Sequence, residues 1–415
     1  MAAATSSKKI ETENPEATVA RAGAVMAILF MVFFLGVSDN QMISPLLPLI
    51  AREFKLQPGD AGKLIGPAYA LAAAMIALVV GPASDKFGRR RFLLYASILF
   101  GASLLSVLVI RDIRALAGVR FITGLAAGTF STCSIAYVGD YFPYQRRGVA
   151  MSVVNSGYFA ALVVGVPVGA VLGQRLGWRS GFVAFGVLAL ITFFLVLVVL
   201  PEDRHNAAHQ SSGDGSPRFA NIKTAFSGVE RKAAIAAAFF VSAGFVGFIY
   251  YLGSWLEHLF GLSPGQVGLV FIAVGVASLA GSLIAGPVSD RIGKRGLSVV
   301  ATLLLALALA ALPRFAWGAF LFAAFLVASL SFAFRQGPLQ ALATELVPRR
   351  ARGALVASRT TTSQIGIAVS TGVCGYLYDR FGYSAVGLFC AVTTLAAAAC
   401  IYMMREPSER PADEW

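Results

Sequence analysis

Charged residues are scarce in this sequence. They make up 13% of its 415 residues, whereas a soluble globular protein carries about 25%. Apolar residues reach 57% and the mean hydropathy is +0.73. Apolar runs of about 18 residues or more recur, and each can cross ~30 Å of hydrocarbon as a helix. The short alternating strands of a membrane barrel are lacking. The composition therefore predicts an all-α integral membrane protein.

Cysteine and histidine are also rare, with four and three residues respectively. The cysteines all fall in apolar runs without CxxC spacing: Cys133, Cys374, Cys390 and Cys400. His205 and His209 lie in a polar stretch without carboxylate or thiol partners nearby, so we expect them to be solvated. A Walker loop and a nucleophile–base pair are lacking too. We therefore expect no metal, no cofactor, no ATP-driven step and no enzymatic activity.

The net charge of +13 does not indicate a nucleic-acid partner, because its distribution follows membrane topology. With the amino terminus inside, most Lys and Arg residues fall in the inner loops and tails, as the positive-inside rule requires. The first 22 residues are polar and include Glu11, Glu13 and Glu16, unlike a signal peptide. We expect a multi-pass protein of a plasma membrane, such as a bacterial inner membrane, with both termini in the cytoplasm.

Twelve apolar segments form the predicted spans: 23–50, 61–81, 92–110, 115–138, 149–172, 181–200, 233–255, 266–286, 297–313, 316–343, 354–377 and 383–404. The one long polar stretch, 201–232, reads as a flexible linker between two halves. The predicted organisation is a tail (1–22), a six-helix bundle (23–200), the linker, a second six-helix bundle (233–404) and a second tail (405–415).

One charged stretch occurs twice. Residues 81–91 read GPASDKFGRRR, and residues 286–295 read GPVSDRIGKR, 205 positions later. FKLQPG at 54–59 matches FGLSPG at 260–265, and Asp140 after span 4 matches Glu345 after span 10, at nearly the same offset. These matches predict two diverged copies of a six-helix unit, with the repeated stretch as a short loop at the inner ends of spans 2 and 8.

The repeated loop resembles the signature loop of the major facilitator superfamily of secondary transporters, which lies between helices 2 and 3 and, more weakly, between helices 8 and 9. The resemblance covers the chain from residue 23 to about 404. It implies twelve transmembrane helices in two pseudo-symmetric six-helix bundles, with a small-molecule substrate bound at the midplane between them. It also implies alternating access as the mode of transport.

By the same resemblance, the repeated loops would act as a conformational gate. Asp85 would dock at the cytoplasmic start of span 11, Arg89 would bridge to Asp140, and Asp290, Lys294 and Glu345 would form the mirror arrangement. The predicted gate residues are Gly81, Asp85, Gly88, Arg89, Arg90, Asp140, Gly286, Asp290, Gly293, Lys294, Arg295 and Glu345. The plainer alternative is positive charge that fixes topology, although that effect needs no acidic residue.

Charges inside the spans are functional candidates, because hydrocarbon makes them costly. Asp39 in span 1 and Arg120 in span 4 come out at nearly the same depth at ~1.5 Å of rise per residue. We predict that Asp39 carries the coupling proton and that Arg120 tunes it, as the RFITG run at 120–124 resembles the span-4 arginine motif of proton-coupled members. The alternative is a permanent structural ion pair.

The remaining intramembrane charges are candidates for the substrate cavity. Arg335 of span 10, beside Gln336 and Gln340, could bind a carboxylate or phosphate. Arg359 lies low enough in span 11 for its side chain to reach the inner surface instead. Tyr250 and Tyr251 of span 7 could supply an aromatic surface or anchor the helix at the interface. Three arginines against one acid favour an anionic or neutral substrate over a cation.

Span 5 supplies a hint of transport direction. Gly165, Pro167 and Gly169 resemble, imperfectly, the proline–glycine motif of drug and sugar proton antiporters, although small residues also permit close packing. We predict a monomeric transporter that exports a small organic solute in exchange for protons, with the proton gradient as energy source. The alternatives are proton-coupled uptake or exchange of an organic anion, and a transporter-like ligand sensor that moves nothing.

Overall fold

The computed structural model describes residues 15–201, 228–347 and 352–406, and in these ranges every regular element is helical. Spans 1 to 6 are Pro15–Gln41 with Ile43–Glu53, Pro58–Phe87, Arg89–Ser106, Ile113–Tyr141, Tyr144–Ala160 with Val166–Leu176, and Trp178–Val199. Spans 7 to 12 are Val229–Phe260, Pro264–Ile292, Lys294–Ala311, Ala319–Thr344, Arg352–Phe381 and Tyr383–Tyr402. Most of the predicted linker, with His205 and His209, and most of both tails lie outside the described residues.

The surface of the helical bundle is apolar. Eleven helices in the described ranges are long and apolar enough to cross a membrane. Large apolar side chains point outward along them, with Val198 80% and Phe320 79% exposed. In water such a surface would be strongly unfavourable, whereas lipid tails solvate it. The structure therefore has the surface of a multi-pass membrane protein.

Span 11, Arg352–Phe381, is the remaining predicted span, and it is 30 residues long but less apolar than the others. It packs between spans 2 and 7 through small residues. A Cβ on Gly66 of span 2 would overlap Thr371, and one on Gly366 would meet the carbonyl oxygen of Phe239 in span 7. Because span 11 faces protein along these contacts, its polar residues need not contact lipid.

The two repeated stretches are helical, which corrects the prediction of a loop. Span 2 continues to Phe87 and span 3 begins at Arg89, so Gly88 alone joins them, and Gly293 alone joins spans 8 and 9. The φ angles are 96° at Gly88 and 89° at Gly293, which only glycine adopts without strain. Each glycine ends one helix and allows the next to begin at once. The charged residues therefore sit on helical turns, and Asp140 likewise lies within span 4.

A buried serine joins the two halves at the end of the bundle that the sequence predicts to be outer. Ser44 Oγ of span 1 donates to the carbonyl oxygen of Ile249 in span 7 at 2.6 Å and accepts from the amide of Gly253 at 3.0 Å. A Cβ on Gly253 would overlap the backbone of Ser44, so the two helices meet here without space between them.

Three further contacts close the same end: the Gly59 amide to Asp379 Oδ1 at 2.8 Å, the Gly265 amide to Gln174 Oε1 at 2.9 Å, and the Arg52–Glu257 ion pair at 2.8 Å. Each of them links the amino-terminal half to the carboxy-terminal half. The structure is therefore closed at the predicted outer end.

Candidate functional site

The two buried charges of the first half form an ion pair. Arg120 Nη1 of span 4 donates to both carboxylate oxygens of Asp39 in span 1, at 2.8 Å to Oδ1 and 2.7 Å to Oδ2. The side chains of Arg120 and Asp39 are 1% and 0% exposed. The structure thus brings together the two residues that the sequence predicts as the proton-coupling pair.

Tyr69 of span 2 holds the arginine of this pair in place. The centroid of its ring lies 4.5 Å from Arg120 Cζ, and its hydroxyl donates to the carbonyl oxygen of Gly36 at 3.2 Å. A cation over an aromatic face gains about 2 kcal/mol when both groups are removed from water. Tyr69 therefore stabilises the guanidinium independently of Asp39, so that the arginine keeps one favourable contact if the carboxylate changes partner.

The hydrogen-bonding capacity of the site is only partly used. Arg120 Nε and Ser38 Oγ are buried without a hydrogen-bond partner among the described residues. Removing an ion from water costs several kcal/mol, which a buried pair recovers only if its geometry and remaining hydrogen bonds are good. Spare polar atoms next to the carboxylate can accept or donate new hydrogen bonds when the pair rearranges.

An irregular turn of span 5 lies against this site. Residues Ala161–Gly165 form a π-helical turn, in which the amide of Val166 bonds to the carbonyl oxygen of Ala161. Pro167 follows and has no amide hydrogen, so the ordinary α-helical bond to its position cannot form. A Cβ on Gly165 would overlap Ser38 Oγ, the neighbour of Asp39. The predicted span-5 motif is therefore packed directly beside the ion pair.

The other two motif positions make similar close approaches. A Cβ on Gly169 would lie 3.0 Å from Sδ of Met42 in span 1, and one on Gly268 of span 8 would lie 3.0 Å from Cα of Pro167. Span 5 thus contacts both span 1 of its own half and span 8 of the other half at positions without side-chain bulk. A shift of span 5 at this face would therefore alter its packing against both halves.

Tyr250 of span 7 approaches the ion pair from the second half. Its hydroxyl is buried without a hydrogen-bond partner in the described part of the chain, and it interacts electrostatically with both Arg120 and Asp39. The adjacent Tyr251 lies elsewhere: its hydroxyl donates to the carbonyl oxygen of Thr371 at 2.8 Å, and its ring stacks on Tyr378. Tyr251 therefore packs span 7 against span 11 and does not line the cavity.

A central cavity lies between the halves. Its polar lining residues are Gln41, Ser278 and Ser329, and its aromatic lining residues are Tyr158, Phe245, Phe248, Phe271, Phe325 and Phe332. Phe332 stacks on Phe245 at 4.4 Å and on Tyr158 at 5.8 Å between ring centroids, which joins spans 5, 7 and 10. Gln41 Nε2 donates to the Tyr158 hydroxyl at 3.4 Å. The cavity is predominantly apolar and aromatic, with a few polar groups at its wall, as small-molecule sites usually are. Its volume is about 30 Å³ in this structure, room for about two water molecules, so a solute can enter only when the halves separate.

Arg335 lies beside this cavity, one helical turn from Phe332. Its side chain is 0% exposed, and its Cζ is 5.6 Å from the centroid of the Phe332 ring. Nε, Nη1 and Nη2 all lack a hydrogen-bond partner among the residues that the structure describes. Phe332 in turn stacks on Tyr158 of span 5, so Arg335 lies on the side of the cavity where spans 5 and 10 meet.

The amides predicted beside Arg335 do not share its environment. Gln336 and Gln340 are exposed, whereas Arg335 is buried. Consecutive helical residues point about 100° apart, and residues four apart share a face, so the two glutamines lie together and away from the arginine. Arg359 is partly buried on span 11 and is not among the cavity-lining residues. None of the six predicted cavity residues lines the cavity itself, but Arg335 contacts the lining residue Phe332.

The predicted gate residues form ion pairs within each half. Arg89 bridges Asp85 at 2.8 Å and Asp140 at 2.7 Å. In the second half Lys294 pairs with Glu345 at 2.6 Å. These two arrangements occupy corresponding positions in the two halves.

Other gate residues have different surroundings. Arg90 Nη2 donates to the carbonyl oxygen of Leu197, and the Arg295 amide donates to Glu406, both at 2.6 Å. Asp290 is exposed. The docking of Asp85 at the cytoplasmic start of span 11 stays a prediction, because the residues that lead into that span, 348–351, lie outside the described ranges.

Sequence reasoning missed the cavity wall. Tyr158, Phe245 and Phe332 look like any other aromatic residues within apolar runs, and only the crossing of spans 5, 7 and 10 brings them together. The outer contact of Ser44 was missed for the same reason. A polar side chain within a predicted span, such as Gln41, is a signal of this wall that the sequence does contain.

The sequence matches the model of one protein family. The sequence model of the Major Facilitator Superfamily matches residues 29–263 and 234–414. The uncharacterized MFS-type transporter YwfA of Bacillus subtilis (strain 168) is 30% identical over 379 residues, covering 89% of each chain. A chloramphenicol resistance protein of Streptomyces lividans is 29% identical over 369 residues, covering 86% of this chain and 91% of the relative.

Comparison with solved structures gives the same fold. The crystal structure of a D-xylose–proton symporter superposes with a TM-score of 0.77 at 19% identity, covering 94% of this chain and 99% of the symporter. At this identity the likeness concerns the fold alone. It confirms the predicted all-α architecture of two six-helix bundles.

Proposed function

This chain belongs to the Major Facilitator Superfamily, and from that premise we propose that it exports a small organic solute in exchange for protons by alternating access. It is a multi-pass membrane transporter by family and by the apolar surface of its helices. The proposal adds the direction of transport, the coupling ion and the residues that do the work. It also places the protein in a bacterial inner membrane as a monomer with both termini in the cytoplasm.

The observation that carries the proposal is the buried Asp39–Arg120 pair. Asp39 is the acidic group of this pair, and protonation would remove the cost of keeping its charge away from water. Arg120 cannot release a proton under physiological conditions, so it can only hold Asp39 ionised or let it go. In this scheme Asp39 binds the proton, and Arg120 with Tyr69 keeps the site intact while Asp39 is neutral.

Coupling requires that the proton site respond to the movement of the two halves. The π-helical turn Ala161–Gly165 touches Ser38 next to Asp39, and Pro167 in the following turn touches Gly268 of the other half. The Tyr250 hydroxyl approaches the same pair from the second half. We infer that rocking of the halves changes the surroundings of Asp39, and that protonation of Asp39 in turn favours one of the two open states.

The gate pairs at the other end would serve the same cycle. Arg89 with Asp85 and Asp140, and Lys294 with Glu345, lie on the last and first turns of the helices that meet at the inner end. Ion pairs of partly exposed groups are weak, about 0–1 kcal/mol each, so they can break in every cycle. In our proposal they stabilise one open state and take no part in binding the solute.

Export is favoured over import by two observations. The span-5 motif resembles that of proton antiporters, and Gly165 of this motif packs against Ser38, the neighbour of Asp39. A relative with 29% identity is named a chloramphenicol resistance protein, a name that fits removal of a compound from the cell. Chloramphenicol is therefore the first solute that we would test.

The decisive experiment measures transport in inverted membrane vesicles under an imposed pH gradient. Labelled chloramphenicol should accumulate inside vesicles that contain the wild-type protein when their lumen is acidic. Asp39→Asn should abolish this accumulation but retain exchange of solute at equal pH on both sides. Full pH-driven accumulation by Asp39→Asn would rule out Asp39 as the proton carrier.

A second candidate function is proton-coupled uptake or exchange of an organic anion. Arg335 favours it, because its guanidinium has no hydrogen-bond partner in the described part of the chain. The direction of net flux in the same vesicles separates this candidate from export. Ligand binding without any exchange in liposomes would instead support a sensor that moves nothing.

A further inference from the structure

Arg335 is a buried cation without a counterion among the described residues. All three of its guanidinium nitrogens lack hydrogen-bond partners within residues 15–201, 228–347 and 352–406, and its side chain is 0% exposed. The other fully buried arginine, Arg120, is paired with Asp39, so that carboxylate is already engaged. Leaving a buried charge uncompensated is strongly unfavourable. A mobile anion that occupies the cavity would remove this imbalance.

The surroundings of Arg335 limit what kind of anion fits. The stacked rings of Tyr158, Phe332 and Phe245 form one wall of the adjacent cavity. None of the cavity-lining residues in the described part of the chain carries a negative charge. A phosphate dianion would need more than one cationic partner to offset its desolvation, whereas one guanidinium matches one carboxylate through two parallel hydrogen bonds.

We propose that the cavity binds an aromatic carboxylate, with the carboxylate on the guanidinium of Arg335 and the ring against the face formed by Tyr158, Phe332 and Phe245. This inference rests on the proposed function only in taking the cavity as the solute site. The Gln41 amide and the Tyr158 hydroxyl provide neutral hydrogen-bonding groups for further substituents on the ring. The charge of Arg335 and the aromatic wall of the cavity thus define the proposed substrate class.

The test compares matched probes on the purified full-length protein by isothermal titration calorimetry. The probes are 2-naphthoate, its neutral amide 2-naphthamide, and cyclohexanecarboxylate. A charge-assisted pair in a desolvated site predicts that naphthoate binds about 10- to 100-fold more tightly than naphthamide. Loss of the ring–ring contacts predicts that cyclohexanecarboxylate binds about 3- to 10-fold more weakly than naphthoate.

Variants then assign the effect to Arg335. Arg335→Gln should remove the preference for naphthoate over naphthamide, and Arg335→Lys should retain part of it because the charge stays but the two parallel hydrogen bonds are lost. Arg314→Gln, a change of an exposed arginine three residues after the end of span 9, is the matched control and should leave the preference unchanged. Thermal melting of each variant checks that it is folded.

Several outcomes would overturn the assignment. Equal affinity of the wild-type protein for naphthoate and naphthamide would do so, as would binding of neither probe or an unchanged preference in folded Arg335→Gln. The probe comparison needs only the wild-type protein, so it decides even if the variant does not fold. Because binding is measured without a pH gradient, a failure of proton-driven export leaves this result standing. Chloramphenicol export without naphthoate binding would defeat the inference alone.

Discussion

Arg120 holds both carboxylate oxygens of Asp39 through a single nitrogen, Nη1. A fork with two parallel bonds would use two nitrogens and is the stronger arrangement. The observed geometry leaves Nε of Arg120 without a partner among the described residues. The pair therefore has donor capacity in reserve, which a permanent structural ion pair would be expected to use.

This geometry predicts separable effects on stability and on coupling. Asp39→Asn leaves the charge of Arg120 uncompensated and should destabilise the protein by about 3–5 kcal/mol, as for other broken buried pairs. The double variant Asp39→Asn/Arg120→Gln should recover much of that stability, measured by thermal melting in detergent. It should not recover pH-driven transport. Recovery of both by the double variant would show that the pair is purely structural.

The π-helical turn of span 5 predicts a steric effect next to the Asp39–Arg120 pair. Gly165→Ala places a methyl group on Ser38 Oγ, and overpacking of this kind costs about 1–3 kcal/mol. We expect slower pH-driven transport and a lower melting temperature. Gly148→Ala in the same span is the control, because a Cβ there meets nothing within 4 Å. Equal behaviour of the two variants would contradict a role for this contact.

The outer contact of Ser44 predicts a shift in the conformational equilibrium. Ser44→Ala removes its hydrogen bonds to Ile249 and Gly253, each worth about 0.5–1.5 kcal/mol net. The population open at the outer end should therefore rise about fivefold or more. Double electron–electron resonance would measure the shift as a change in the distances between spin labels placed on the two halves at this end.

Suitable label positions for that experiment are the exposed residues Gln57 and His258, which lie on opposite halves. Ser180→Ala is a matched control, because the Ser180 hydroxyl donates to the carbonyl oxygen of Gly177 in its own turn and joins no other span among the described residues. An unchanged distance distribution in Ser44→Ala would mean that other contacts alone keep this end closed.

The gate residue Arg89 predicts a kinetic effect without loss of binding. Arg89→Lys keeps the positive charge but cannot bridge Asp85 and Asp140 at once. The transport rate should fall, whereas solute affinity and the melting temperature should change little, since exposed pairs contribute about 0–1 kcal/mol. Parallel measurements of flux and binding check this. If solute affinity fell as much as the flux, Arg89 would contribute to solute binding and not only to the conformational change.

The substrate charge predicts how transport depends on membrane potential. If an aromatic carboxylate leaves as one proton enters, two charges move in the same electrical direction in each cycle. Each charge is driven by about 2.3 kcal/mol per 100 mV. A potassium–valinomycin diffusion potential should therefore accelerate naphthoate flux in liposomes but leave an electroneutral symport unaffected. Insensitivity to the potential would favour uptake of the anion together with a proton.

The sequence was sufficient for the spans and for the ion pair. Asp39 and Arg120 stand out because a charge in an apolar run has a large energetic cost, and helical rise alone places them at one depth. The repeated charged stretch was recognised correctly but was predicted as a loop. Its helical form depends on the φ angles of Gly88 and Gly293, which the residue types allow but do not impose.

The cavity could not be predicted in the same way. Whether an aromatic residue in an apolar helix faces lipid or protein depends on how the helices cross, so Phe245 and Phe332 gave no signal. Gln336 was grouped with Arg335 because they are neighbours in the chain, although neighbours on a helix point in different directions. The depth of a residue in the membrane follows from its position along one helix. Whether its side chain faces lipid or protein follows from the packing of several helices.

Because Gly88 and Gly293 are each the single residue between two helices, the joined helix ends cannot separate. A tilt of span 2 must pull span 3 with it, and spans 8 and 9 are tied in the same manner. Each joint should therefore keep the two joined helix ends together whenever the transporter changes from one open state to the other.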